Sequence, residues 1–144
     1  MKKASDILAR KGTGVITIST DTTVLDAIKL MSEKNIGSVV VVENEQFVGI
    51  MTERDYCRKV ILKGKSSTDT MVNEIMSVDF PHIAPAETIE HCMELMTSNN
   101  IRYLPVFDSH GLCGIISMQD VIKQTVLKQA ETINELKDYL HASM

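Results

Sequence analysis

Two stretches, Gly49-Ile50-Met51-Thr52-Glu53-Arg54-Asp55 and Gly114-Ile115-Ile116-Ser117-Met118-Gln119-Asp120, decide how this chain is read. Each carries a glycine, two aliphatics, a hydroxyl residue and, three positions later, an aspartate. They lie 65 residues apart, and the same offset aligns their surroundings. Val24-Leu25-Asp26-Ala27-Ile28-Lys29-Leu30-Met31 falls on Ile89-Glu90-His91-Cys92-Met93-Glu94-Leu95-Met96, and Asn35-Ile36 falls on Asn100-Ile101. From Val15–Leu62 against Phe80–Leu127 no gap is needed, and 11 of the 48 pairs are identical. The chain is therefore an internal repeat, and its architecture follows from one copy.

Each copy reads as strand, helix, strand, strand, helix. In the first, Val15 to Ile18 is a short strand. Thr23 is placed to cap a helix whose apolar positions, Val24, Ala27, Ile28 and Met31, have helical spacing. Ser38 to Val42 and Phe47 to Met51 form a hairpin across the polar turn Glu43-Asn44-Glu45-Gln46. Helix resumes near Glu53 and stops around Gly64. In the second copy His82 and Ile83 lie on the short strand and Ile89 to Ser98 is helix. Tyr103 to Phe107 and Leu112 to Ile116 form the hairpin, with Gly111 supplying positive φ in its turn. The last helix starts near Met118. The expected organisation is a helical segment over 1–14, a first repeat over 15–64, a linker over 65–79, a second repeat over 80–127 and a C-terminal helix over 128–144. Met71-Val72-Asn73-Glu74-Ile75-Met76 in the linker is amphipathic. Ala4-Ser5-Asp6-Ile7-Leu8 resembles it and is expected to serve the first copy in the same way. A single copy of about 48 residues is marginal alone, so the two are expected to share a core as one α/β (α+β) unit with pseudo-twofold symmetry. Ile133, Leu136 and Leu140 put an apolar face on the tail, which either caps its own core or packs on a partner subunit.

Composition narrows the function. With 144 residues, 44% hydrophobic and 24% charged, the chain is globular and too short for an eightfold barrel. A net charge of −4 argues against nucleic acid as a partner, and no apolar run is long enough to span a membrane. The start carries no signal-peptide pattern, and three widely spaced cysteines, Cys57, Cys92 and Cys113, suit reduced thiols, so a cytoplasmic location is expected. Cys92 and Cys113 fall opposite Ala27 and Val48 and read as core thiols. The four histidines do not combine with them at any metal spacing. There is no phosphate-binding Walker loop or dinucleotide glycine triplet, and no set of nucleophile, base and oxyanion donors.

With both motifs preceded by Asn-Ile-x-x-aliphatic, the chain resembles a tandem pair of cystathionine-beta-synthase (CBS) domains, the Bateman module. The resemblance covers 15–127 fully. It implies two β-α-β-β-α repeats, regulation and not catalysis, and an adenosine-containing ligand in the cleft between repeats: AMP, ADP, ATP, S-adenosylmethionine or NAD. It also implies a homodimer of four repeats, with no required cofactor. No regulated enzyme is attached, so a separate protein would be the one that responds.

The resemblance assigns chemistry to particular residues. Asp55 and Asp120, in the first turn of a helix, can accept both hydroxyls of a ribose, and Thr52 and Ser117 with the free N–H groups of that turn can seat a phosphate or ribose oxygen. The same pairs also read as capping boxes that start a helix with no ligand at all. Gly49 and Gly114, with Ile50 and Ile115 beside them, allow close backbone approach to a ligand. By analogy adenine would lie against Thr17 and Ile18 in one copy and His82 and Ile83 in the other, with Ser38, Val39, Tyr103, Leu104 and Pro105 as walls. Tyr103 either stacks on a base or packs against Pro105. For phosphate the candidates are Arg102, which interrupts an apolar context, and Arg54, where the second copy has Gln119. Arg58, Lys63 and Lys65 cluster with Arg54 after the first motif, where they could hold a phosphate or form a solvated face. Three functions remain: an adenine-nucleotide sensor signalling to a partner, an NAD(H)-responsive redox sensor, and a constitutive dimeric adaptor.

Overall fold

In a computed structural model, which describes residues 2–12 and 14–142, the backbone forms five α-helices and two small sheets. In order they are α1 (Ala4–Lys11), β1 (Thr17–Ser19), α2 (Val24–Lys34), β2 (Ser38–Glu43), β3 (Gln46–Thr52) and α3 (Glu53–Tyr56). After the linker come α4 (Ile89–Ser98), β4 (Tyr103–Asp108), β5 (Gly111–Ser117) and α5 (Met118–Ala142). Met1, Thr13, Ser143 and Met144, all within the expected terminal segments, lie outside the described residues.

The helix starts follow the sequence closely. Thr23 accepts a hydrogen bond from the Asp26 N–H at 3.2 Å, and Thr88 accepts one from the His91 N–H at 3.2 Å. These N-caps satisfy donors that a helix start leaves open. The hairpins also repeat: Ser38 faces Thr52 as Tyr103 faces Ser117, and a bulge interrupts each after its fourth residue, at Val41/Val42 and Val106/Phe107. The first turn uses Asn44 (φ 52°) and Glu45 (φ 64°), both left-handed, as a two-residue turn matched to strand twist requires. In the second, Gly111 takes the positive φ, at 115°.

The first-repeat sheet has three strands in the order β1-β2-β3, with β1 parallel to β2. The second-repeat sheet has only two. The strand expected at His82 and Ile83 shrinks to a single parallel bridge from Ile83 to Val106. The cause is a proline. Val40 donates its N–H to the Ile16 carbonyl at 3.1 Å, but its counterpart is Pro105, which has no N–H to give to Pro81.

The chain divides into two compact units, Gly14–Phe80 and Met1–Thr13 with Pro81–Met144. Each has its own core, where one shared core had been expected. The first is built on Val24, Met31, Val39, Val41, Met51 and Ile75. The second is built on Ile7, Leu8, Ile89, Met96, Leu104 and Ile116. Helix α1 therefore serves the second repeat, not the first, while the linker segment serves the first.

The two segments begin in the same way, although α1 continues for eight residues and the linker segment makes a single 3-10 turn, Val72–Glu74. Lys3 and Met71 each bridge to the N-cap threonine of a repeat helix, Thr88 and Thr23. The Lys3 N–H donates to Asp6 at 2.8 Å and the Met71 N–H to Glu74 at 2.7 Å, closing the first turn of each. Ala4 N–H then donates to the Glu87 carbonyl at 2.8 Å, and Val72 N–H to the Thr22 carbonyl at 2.9 Å. Ile7 and Ile75 bury the same apolar point in the two cores, at 0% and 1% exposed.

Candidate functional site

Both repeated motifs sit where a hairpin's second strand becomes a helix, and both are capping boxes. In the first, the Asp55 N–H donates to Thr52 Oγ1 at 3.0 Å while Asp55 Oδ2 accepts from the Thr52 N–H and hydroxyl, each at 3.0 Å. In the second, the Asp120 N–H donates to Ser117 Oγ at 3.1 Å and Asp120 Oδ2 accepts from the Ser117 N–H at 2.8 Å. The structural role of these pairs is thus realised in both copies.

What surrounds the two carboxylates differs. Past α3 the helix widens into a π turn, Cys57–Ile61, with the Leu62 N–H reaching the Cys57 carbonyl at 3.0 Å. That turn carries Lys59, whose Nζ lies 3.0 Å from Asp55 Oδ1 and 2.9 Å from the Ile75 carbonyl. Ser77 donates its hydroxyl to the same Oδ1 at 2.8 Å. Asp55, its side chain 7% exposed, therefore faces four donors, as many as a carboxylate has lone-pair sites. At Asp120 the cation comes from a different element. Lys11, the last residue of α1, holds Oδ2 at 2.8 Å and the Ile115 carbonyl at 3.0 Å, with Arg10 3.5 Å from the Asp120 carbonyl. All of these carboxylate bonds fall on Oδ2, and the side chain is 20% exposed. Burial works to raise the Asp120 carboxyl, but the bond and charge of Lys11 with the bonds from Ser117 outweigh it and hold it below the ordinary carboxylate value.

The motif glycines receive protein. A Cβ on Gly49 would lie 2.9 Å from Met76 Sδ and 3.0 Å from the Ser77 carbonyl oxygen, and one on Gly114 2.8 Å from Leu8 Cδ2. The close approach expected of a ligand is made here by the two crossing segments. Ile50 is fully buried and exchanges backbone bonds with Ser77 at 2.8 and 3.0 Å.

The remaining sequence candidates sort by burial. Val39 and Leu104 belong to the two cores, and so does Ile83, with Ile18 packed at the edge; as apolar side walls they are spent inside the protein. Thr17 is exposed on β1, Ser38 half-buried opposite Thr52, and Tyr103 half-buried opposite Ser117. Pro105 is buried on β4, paired with the half-buried Ile115. His82 is exposed and its ring stacks on Phe107 at 4.4 Å between centroids. Arg102 is exposed and its carbonyl accepts the Met118 N–H at 2.8 Å, while Arg54 is half-buried on α3. Cys92 is a core thiol pushed up to about 11, chiefly by burial, and Cys113 is half-buried. Lys11, Lys59 and Ser77 were not singled out from the sequence. The signal for Lys11 was a pair of basic residues ending a segment already paired with the linker.

The CBS domain model matches residues 4–61 and 72–126, two copies that each include a crossing segment. The mitochondrial CBS domain-containing protein CBSX3 of Arabidopsis thaliana is 37% identical over 145 residues, spanning 94% of this chain and 70% of that protein. A solved protein with CBS domains from Burkholderia ambifaria is 40% identical, with a TM-score of 0.85 over 89% of this chain and 96% of that one. The inosine-5'-monophosphate dehydrogenase of Thermoplasma acidophilum is 33% identical over 137 residues, 94% of this chain but 26% of the enzyme.

Proposed function

The chain belongs to the CBS domain family, as a pair of repeats, and on that premise we propose that it is a regulatory module that binds an adenosine-containing ligand and signals to a separate partner. The observation that carries this reading is the Asp120 site. A partly exposed carboxylate keeps one oxygen outside its capping box, at the start of a long helix, with Lys11 and Arg10 beside it. A ribose diol would take Asp120 through charge-assisted bonds, and the two cations would take a phosphate. Arg102 remains a second phosphate candidate. Asp55 is already saturated by Thr52, Ser77 and Lys59, so binding is expected at one motif per chain. AMP, ADP and ATP fit this reading best. NAD or S-adenosylmethionine would enter through the same adenosine half. Catalysis forms no part of the proposal, and the span shared with the dehydrogenase is a quarter of that enzyme's length. Among the described residues no helix is long and apolar enough to cross a membrane, and a cytoplasmic setting is proposed with the rest.

Calorimetric titration of nucleotide-stripped protein with AMP, ATP, S-adenosylmethionine and NADH tests the reading. Binding of an adenine nucleotide at one site per chain is expected. Asp120→Ala should weaken it at least about 10-fold, the scale of one charge-assisted bond, while the fold persists. Equal affinity of wild type and variant would remove Asp120 from the site. No heat from any of the four would leave the dimeric adaptor as the better account.

A further inference from the structure

Helix α5 runs for 25 residues, about 37 Å at 1.5 Å per residue, well past the core it starts on. Val121 and Gln124 are its buried residues. Ile122, between them, and Val126, Ile133, Leu136 and Leu140 further on are each 52–60% exposed. Their spacing alternates four and three if Gln129 is counted in the series, which is the 3.5-residue period of a helix that pairs with another helix. The series is also symmetric about Glu131. In an antiparallel pair of copies Ile122 would meet the partner's Leu140, Val126 the partner's Leu136, and Gln129 the partner's Ile133, so every layer forms at once.

Three further features point the same way. Lys123 and Lys128 lie in the first half of the exposed stretch, and Glu131, Glu135 and Asp138 outnumber Lys137 in the second. Antiparallel pairing sets the basic half on the acidic half, with Lys123 beside the partner's Lys137 as the exception, and opposes the helix dipoles. Ala130, at the flank of the central layer, allows the helices to approach. On the other flank, Lys2, Ile89, Gln124, Thr125 and Thr132 border a groove of about 470 Å³. The partner's Tyr139 falls opposite Thr125, and Tyr139 is 71% exposed. Gln124 is 8% exposed and bears an amide for which the tyrosine hydroxyl is a suitable partner. We infer that α5 is a self-association element: a second copy of this chain docks antiparallel on it, with Tyr139 of each copy entering the groove of the other.

The arrangement is isologous and closes as a dimer. It is tested on the full chain by sedimentation equilibrium across concentration. Wild type should be dimeric. Leu136→Glu should weaken the dimer at least about 100-fold, since an apolar contact is lost in two symmetric layers and a charge enters each. Unchanged far-UV circular dichroism would show that the variant still folds. Lys123→Glu should tighten the dimer, because Lys123 flanks the partner's Lys137 in this register. In a Cys57→Ser background, Ala130→Cys should cross-link to itself with a short bis-maleimide. Leu140→Cys should not, since the two copies of that position lie about 27 Å apart along an antiparallel pair. A monomer at 100 µM, a dimer that survives Leu136→Glu, or cross-linking through Leu140→Cys instead of Ala130→Cys would each overturn the inference.

Discussion

Asp55 and Asp120 occupy equivalent places in two copies, and their difference lies in what holds them. Asp120 depends on one lysine from α1, and its carboxyl is held below the ordinary value chiefly by that lysine against the opposing effect of burial. A lowered folded-state pKa means stability that is full above the unfolded value, about 3.9, and lost as pH falls through the folded one. Asp120→Asn should therefore flatten the acid limb of the stability profile, measured by denaturant titration from pH 6 to pH 3. An unaltered limb would mean that Lys11 contributes nothing there. The glycines differ in the same manner. Gly49→Ala meets Met76 Sδ at 2.9 Å, which can swing away, and the Ser77 carbonyl oxygen at 3.0 Å, which is fixed in the backbone, and should cost about 1–3 kcal/mol. Gly114→Ala meets the end of a leucine side chain, which can rotate, and should cost less. Comparing the two melting midpoints checks the order. The motif itself was legible in the sequence. Its occupancy was not, because Ser77 and Lys11 reach their aspartates from segments whose place no local pattern specifies.

Among the elements, helices and hairpins were legible because caps and apolar periods are local. Thr23 and Thr88 start helices, and the hairpins pair as the alternation requires. The second short strand was misread because its failure lies 22 residues downstream, in Pro105. Pro105→Val should return an N–H to β4, let it donate to the Pro81 carbonyl and extend the single bridge into a strand. Hydrogen exchange would show a newly protected amide at position 105, and an amide that exchanges freely would mean that the proline is not the cause. The π turn after α3 was also invisible, since one residue of extra width leaves the apolar spacing of Tyr56, Val60 and Ile61 nearly intact. Lys59 within it lies four positions after Asp55 and pairs with it, where the second copy has Gln124 in an ordinary helix.

At the scale of the whole molecule, sequence order and structural membership disagree. The segment before each copy completes the core of the other, so Ile7 matters to residues beyond Pro81 and Ile75 to residues before it. Ile7→Ala should cost about 2–5 kcal/mol and should speed hydrogen exchange in α4 and β4 before it does so in α2 and β2. Ile75→Ala should give the mirror pattern, and the same pattern from both variants would contradict the assignment. The sequence held a clue, since the segments around Lys3 and Met71 match at an offset of 68 while the copies match at 65, but which segment joins which core depends on contacts far apart in the chain. This crossing also has a consequence in time. On the ribosome the stretch from Gly14 to Phe80 emerges as one continuous piece and can finish its core at once. Helix α1, made before that stretch, has nothing to close on until the strand ending at Ser117 has been synthesised, several seconds later at about 5–20 residues per second. A helix made before both cores is thus among the last elements to be placed, and through that interval Ile7 and Leu8 stand open to whatever meets a nascent chain.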